Sequence, residues 1–232
     1  MYGFYYYDYN YFLYMIITMG ISMYAHFKVQ NTFNKYSKIR CERGLTGAEA
    51  AERVLSGNDI SNVPIGQIRG KLSDHYDPRD NSISLSKEVY SGTSISSIGV
   101  AAHEAGHAVQ NAKGYTPIKI RQTLVPIAQF GSGISMPLVF IGLLLPVQYS
   151  FMVNIGIILF SMVVLFEIIT LPVEFNASRR ALNSLEQLGI LSHEELYGVK
   201  KVLKAAAFTY VAAAFTSILS LIRLLAISRR RN

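Results

Sequence analysis

Cysteine is almost missing from this chain: of 232 residues, only Cys41 is one. A lone thiol excludes an intramolecular disulfide framework and any CxxC pair for thiolate zinc or redox chemistry. A metal, if bound, must be held by histidine and carboxylate. Charge is also missing over long stretches. Tyr11–Phe27 and Leu124–Val147 contain no Asp, Glu, Lys or Arg, Phe151–Leu171 contains only Glu167, and Ala205–Ile227 only Arg223. Internal repeats and low-complexity linkers are absent, and this length holds one domain or two small ones.

Those uncharged runs are what the chain has instead. Each is long enough for the roughly 30 Å hydrocarbon core of a bilayer, Tyr11–Phe27 only just. Leu124–Val147 and Phe151–Leu171 are separated by a short turn around Pro146 to Ser150 and read as a helical hairpin. Its first arm carries Gly131, Ser132, Gly133, Ser135 and Gly142, small residues that let helix backbones approach where packing drives association. Pro126 and Pro137 are tolerable there. The preceding decapeptide, with Tyr2, Phe4, Tyr5, Tyr6, Tyr7 and Tyr9, reads as an interfacial aromatic belt. It lacks the basic start of a cleaved signal peptide, so the first span is expected to remain in the mature protein.

The net charge is +7, yet the Lys and Arg sit beside the apolar runs rather than in a basic groove with interleaved aromatics, so nucleic acid is not the expected partner. The bilayer is. Lys28, Lys35, Lys38, Arg40 and Arg43 follow the first span, Lys119 and Arg121 precede the second, and Arg179 and Arg180 follow the third. By the positive-inside rule the polar domain faces the cytoplasm. Four full crossings would put Arg229-Arg230-Arg231 outside, against the same rule. The last segment therefore either crosses against its charge or lies in the interface or inside the bundle.

The expected architecture is a mainly α membrane protein: a helical transmembrane bundle of three to four spans with a small α+β cytoplasmic domain. Residues 1–27 form the aromatic segment and first transmembrane helix, and 28–121 the cytoplasmic α+β domain. Residues 122–172 form the hairpin, 173–204 further cytoplasmic helices, and 205–232 a fourth transmembrane or membrane-associated helix with a basic tail. Within the polar domain, Thr46 and Glu49 form a capping box and Gly57 suits the C-terminal cap of the helix between them. Asp59–Ile68, Lys71–Tyr76 and Ser82–Leu85 read as strands, and about Ser94–Ala112 as a helix. Ser192 and Glu195 make a second capping box, opening a helix with no proline to stop it before the fourth apolar run.

The chemistry lies in His103-Glu104-Ala105-Gly106-His107. Residues four apart share a helix face, so both imidazoles can reach one tetrahedral zinc, while Glu104 is turned away far enough to touch the zinc's water without being a ligand. Zinc lowers the pKa of that water from about 15.7 to about 7, and Glu104 can take its proton and pass it to a leaving amine. A catalytic zinc needs a third protein ligand. The candidates are Glu174, His193, His75 and Glu167. Glu174 is preferred because it lies just past the third span, on the same membrane side as His103. Glu167 is an intramembrane carboxylate, a candidate for supporting the site, carrying protons or pairing with Arg223. His75 lies on a strand that could align an extended substrate, Arg179 and Arg180 could polarise a carbonyl or orient a carboxylate, and the Tyr210 phenol could stabilise an oxyanion, or all three could simply anchor the membrane boundary.

Three stretches, Leu72–Arg79, Ala101–Gln110 and Leu171–Ala181, resemble those of the bacterial membrane neutral zinc metallopeptidase family (YugP-like), and the similarity covers nearly the whole chain. The run from Glu174 is also similar to the third-ligand motif of membrane heat-shock and CAAX-type zinc peptidases, where Asp stands four positions after Glu. Here that position is Ser178. The resemblance implies Zn2+ held by His103, His107 and Glu174, a zincin-like domain, and endopeptidase action on a protein or peptide substrate associated with the membrane. A competing expectation is a non-hydrolytic membrane scaffold or assembly factor with a structural zinc site.

Overall fold

The computed structural model describes residues 2–71 and 73–231, with side chains described over 11–229 apart from 72. The side chains of the aromatic decapeptide, Leu72, and the side chains of Arg230 and Arg231 lie outside the described residues. The elements in order are α1 (Tyr2–Tyr36), α2 (Gly47–Ser56), β1 (Ile65–Ile68), β2 (His75–Asp77), β3 (Ser82–Ser86), α3 (Lys87–Tyr90), α4 (Ile95–Ala112), α5 (Thr116–Leu144), α6 (Ser150–Gln187) and α7 (His193–Arg231). The chain is mainly helical with one small sheet.

Among the described residues, four helices are long and apolar enough to cross a membrane: Tyr11–Tyr36, Thr116–Leu144, Val147–Gln187 and His193–Arg229. They extend well past the apolar runs. At 1.5 Å per residue the 38 residues of α6 measure about 57 Å, nearly twice a hydrocarbon core. A boundary was expected at Pro172, but α6 passes through it unbroken. Proline there forfeits one backbone hydrogen bond. Beyond it, Val173, Ala177, Ala181 and Leu185 recur at four-residue spacing and are all fully buried, so packing of that stripe maintains the helix. The helix begun at the Ser192 cap likewise continues through the fourth apolar run.

Contacts divide the chain into two compact units: 1–27 with 120–170 and 209–232, and 28–119 with 171–208. In the first, the hairpin arms meet through their small residues. A side chain on Gly131 would press on the Leu159 carbonyl at 3.0 Å, and one on Gly142 on Val153 at 2.8 Å. Gly133 faces open space, and Ser132 bonds its own helix at Gln129. Arg223 does not pair with Glu167. Its guanidinium lies over the rings of Tyr11 and Tyr14, 3.9 and 4.9 Å from their centroids, and Glu167 is hydrogen-bonded by Ser217.

In the second unit α4 runs through the core. Ile98, Ala101, Ala102, Ala105 and Val109 are buried against Ala51, Val54 and Leu55 of α2, Ile83 and Leu85 of β3, and Leu185 of α6. The sheet order is β1-β3-β2, with β1 parallel and β2 antiparallel to the buried central β3. The first two strands are shorter than expected, and β3 runs one residue past the expected Leu85. The segment from Asp59 joins the sheet only at Ile65: Asp59 turns with φ 62° and the Ile60 amide bonds back to the Leu55 carbonyl, closing α2. Thr46 and Glu49 form the reciprocal capping box at the start of that helix. Gly57 caps its end with φ −68°, a conformation open to any residue, so the glycine is not required for a left-handed turn.

Candidate metal centre

Helix α4 is started by Ser94, whose hydroxyl accepts the Ser97 amide proton. Nine residues on, it presents His103 and His107 from one face, their rings edge to face with centroids 4.7 Å apart. Glu174 comes from α6. Its Oε2 lies 3.2 Å from His103 Nε2 and 3.5 Å from His107 Nε2. The ligating atoms of the three residues all fall within 4.8 Å of one another, and among the described residues they form a group able to hold a metal ion. A tetrahedral zinc with bonds of about 2.1 Å sets its donors about 3.4 Å apart, which is the spacing of Glu174 to each imidazole. Two nitrogens and one oxygen are also a donor set that suits zinc and leaves a fourth position open.

Close approach of the two helices makes this possible. At Gly106 a side-chain carbon would lie 2.6 Å from the Ala177 carbonyl oxygen, so α4 rests directly on the backbone of α6. On one side of that contact stand the histidines and on the other Glu174 and Ser178. The far nitrogen of each ring has a partner. His103 Nδ1 lies 3.2 Å from Ser178 Oγ, and His107 Nδ1 lies 3.0 Å from Gln110 Oε1.

Glu104 is buried beside these residues, and its Oε2 accepts the Tyr76 amide proton from β2 at 3.0 Å. Burial pushes its carboxyl up to about 7, and the negative charges of Glu174 and Asp74 add to this against the pull of His103 and the Tyr76 amide. Asp74 is itself held: it accepts from both the amide and the hydroxyl of Ser86, joining the approach to β2 to the end of β3. Asn111, on α4, donates to the Tyr76 phenol, which donates to Asn81. Helix α4 and the edge strand β2 are thus tied together at Glu104 and, through the Tyr76 phenol, at Asn111.

Of the other residues singled out by sequence, none joins the group. His75 is exposed at the start of β2 with its Nδ1 on the Ser73 carbonyl, and His193 is exposed in the first turn of α7. Glu167 and Tyr210 belong to the first unit. Arg179 is exposed, and Arg180 is spent on Asn176 Oδ1 at 2.8 Å. Sequence reading passed over Gln110, Asn176 and Gly106. A signal for Gln110 existed: it is a polar residue three positions after His107, a neighbour on the same helical face.

A protein family described as "Putative neutral zinc metallopeptidase" matches residues 11–229. The chain is 47% identical over 208 residues to a Bacillus subtilis (strain 168) protein described as "Putative membrane protease YugP", a match covering 90% of this chain and 92% of that protein. No solved structure matches it.

Proposed function

The chain belongs to this neutral zinc metallopeptidase family, and from that premise we propose that it is a membrane-embedded zinc endopeptidase in which His103, His107 and Glu174 hold the metal and Glu104 is the general base. The observation that carries the reading is the spacing of Glu174 Oε2, 3.2 and 3.5 Å from the two imidazole nitrogens, beside a buried Glu104. When bound, zinc supplies a water acidified to a pKa of about 7 and polarises the carbonyl under attack.

The chain's own residues do the rest. Glu104 Oε2 is anchored on the Tyr76 amide, which leaves Oε1 to take the proton from the attacking water and deliver it to the amine of the departing product. Helix α4 holds both imidazoles from one face, and α6 holds the carboxylate against them. The substrates are protein or peptide chains at or near the bilayer, and the basic residues flanking the apolar helices favour a catalytic unit on the cytoplasmic side.

The test compares the parent with Glu104→Gln for zinc content and for cleavage of casein or a transmembrane test substrate. Both are expected to bind one zinc, with proteolysis about 10²- to 10⁴-fold slower in the variant. Equal proteolysis by the two zinc-loaded forms would favour a structural zinc in a non-hydrolytic scaffold.

A further inference from the structure

Gln110 sits on α4 one turn after His107 and is fully buried, and its hydrogen bonds allow one assignment only. The Val173 carbonyl can only accept, so the Gln110 atom 2.8 Å from it is the amide nitrogen. That nitrogen also lies 3.0 Å from Asn176 Oδ1, an atom identified as oxygen because Arg180 Nε, which can only donate, is 2.8 Å from it. Gln110 is therefore held by two acceptors with its own oxygen turned toward His107. An amide oxygen accepts, so His107 Nδ1 carries the proton. The lone pair of His107 is left on Nε2, the atom that faces Glu174.

We infer that Gln110, oriented by Val173, Asn176 and Arg180, is a positioning residue that fixes the tautomer and ring plane of His107 for the metal. This rests on the reading of His107 as a zinc ligand. The two histidines differ in this respect. His103 Nδ1 faces the hydroxyl of Ser178, which can donate or accept, so that partner does not dictate its tautomer. Gln110 also sets register: its two acceptors flank Glu174 in sequence on α6, so one amide holds α4 against the strip of α6 that carries the carboxylate.

Residues that hold the second ring nitrogen of a metal-bound histidine typically contribute about 10- to 100-fold in affinity. The geometry makes two substitutions of equal charge differ. In Gln110→Glu one carboxylate oxygen faces His107, but the other meets the Val173 carbonyl and Asn176 Oδ1, two acceptors with no proton between them. In Asn176→Asp the new carboxylate still accepts from both Gln110 and Arg180.

The experiment uses the full chain in detergent at mildly alkaline pH, which favours the ionised form of an introduced glutamate. It measures zinc affinity by chelator competition, the visible absorption of the Co2+-substituted protein, and thermal unfolding. Gln110→Met, uncharged and of similar length, is included so that the outcome does not hang on whether a buried glutamate folds. Gln110→Met and Gln110→Glu are expected to lose about tenfold or more in affinity with an altered Co2+ spectrum, and Asn176→Asp to stay within about threefold of the parent. Parent-like affinity and spectrum in Gln110→Met overturn the proposal, as does a loss in Asn176→Asp equal to that in Gln110→Glu. A parent that binds no zinc, or binds it equally in His107→Ala, would sink the ligand assignment itself along with the inference.

Discussion

Substituting Gly106 by Ala sets two physical effects against each other. Gly106 is helical and buried, and helix propensity alone predicts that Ala stabilises α4 by about 1 kcal/mol. Packing predicts the reverse. The new carbon would lie 2.6 Å from the Ala177 oxygen and 3.2 Å from its carbonyl carbon, both backbone atoms of α6. Reaching 3.4 Å, where ordinary contact begins, requires the helices to part by about 0.8 Å. The same displacement would carry Glu174 from 3.2 and 3.5 Å of the imidazoles to about 4 Å, beyond the roughly 3.4 Å of a tetrahedral zinc. Metal bonds tolerate only about 0.2 Å. Overpacking costs about 1 to 3 kcal/mol, so after the propensity gain the expected net loss is about 1 kcal/mol. Zinc affinity should fall at least about tenfold. Chelator competition and thermal unfolding read both quantities. Gly99→Ala on the same helix is the control, because its new carbon meets Val199 side-chain atoms, the nearest at 3.2 Å, which can move. A Gly106→Ala protein with parental zinc affinity and a raised unfolding temperature would refute the reasoning.

Two further outcomes follow from the same structure. Glu174→Ala should lower zinc affinity by more than the roughly 100-fold upper end for residues outside the coordination sphere, measured as zinc retained after dialysis against a chelator, and unchanged retention would refute Glu174 as the third ligand. Thr46→Ala removes the acceptor of the Glu49 amide at the start of α2. It should cost about 1 kcal/mol in denaturant unfolding, Thr46→Ser should restore most of this, and no difference among the three proteins would show the cap to be dispensable.

Local signals were legible in the residues themselves. The capping boxes at Thr46 and Ser192 require only a hydroxyl and a carboxylate three positions apart, and both are formed. The apolar runs exceed what a small soluble core could bury, and the helices containing them are long enough to cross a bilayer. Element ends were less legible. The passage of α6 through Pro172 and the late start of β1 depend on which carbonyls and which buried faces lie nearby, and a local reading of proline or of β-branched residues cannot weigh those.

The sequence by itself determined that His103 and His107 share a face with Glu104 beside them, because four residues make just over one turn of any α-helix. It determined as well that the metal's donors would be nitrogen and oxygen, since one cysteine supplies no thiolate pair. The tertiary structure decided what completes the group. Glu174 lies 67 positions beyond His107, and only the contact of α4 on α6 at Gly106 brings it to hydrogen-bonding range. That contact also gives Gln110 its carbonyl acceptors. A glycine in the middle of a helix reads as a weakness in sequence, and here it is the absence of a side chain that lets two backbones meet closely enough to bring three side chains into a group able to hold one ion.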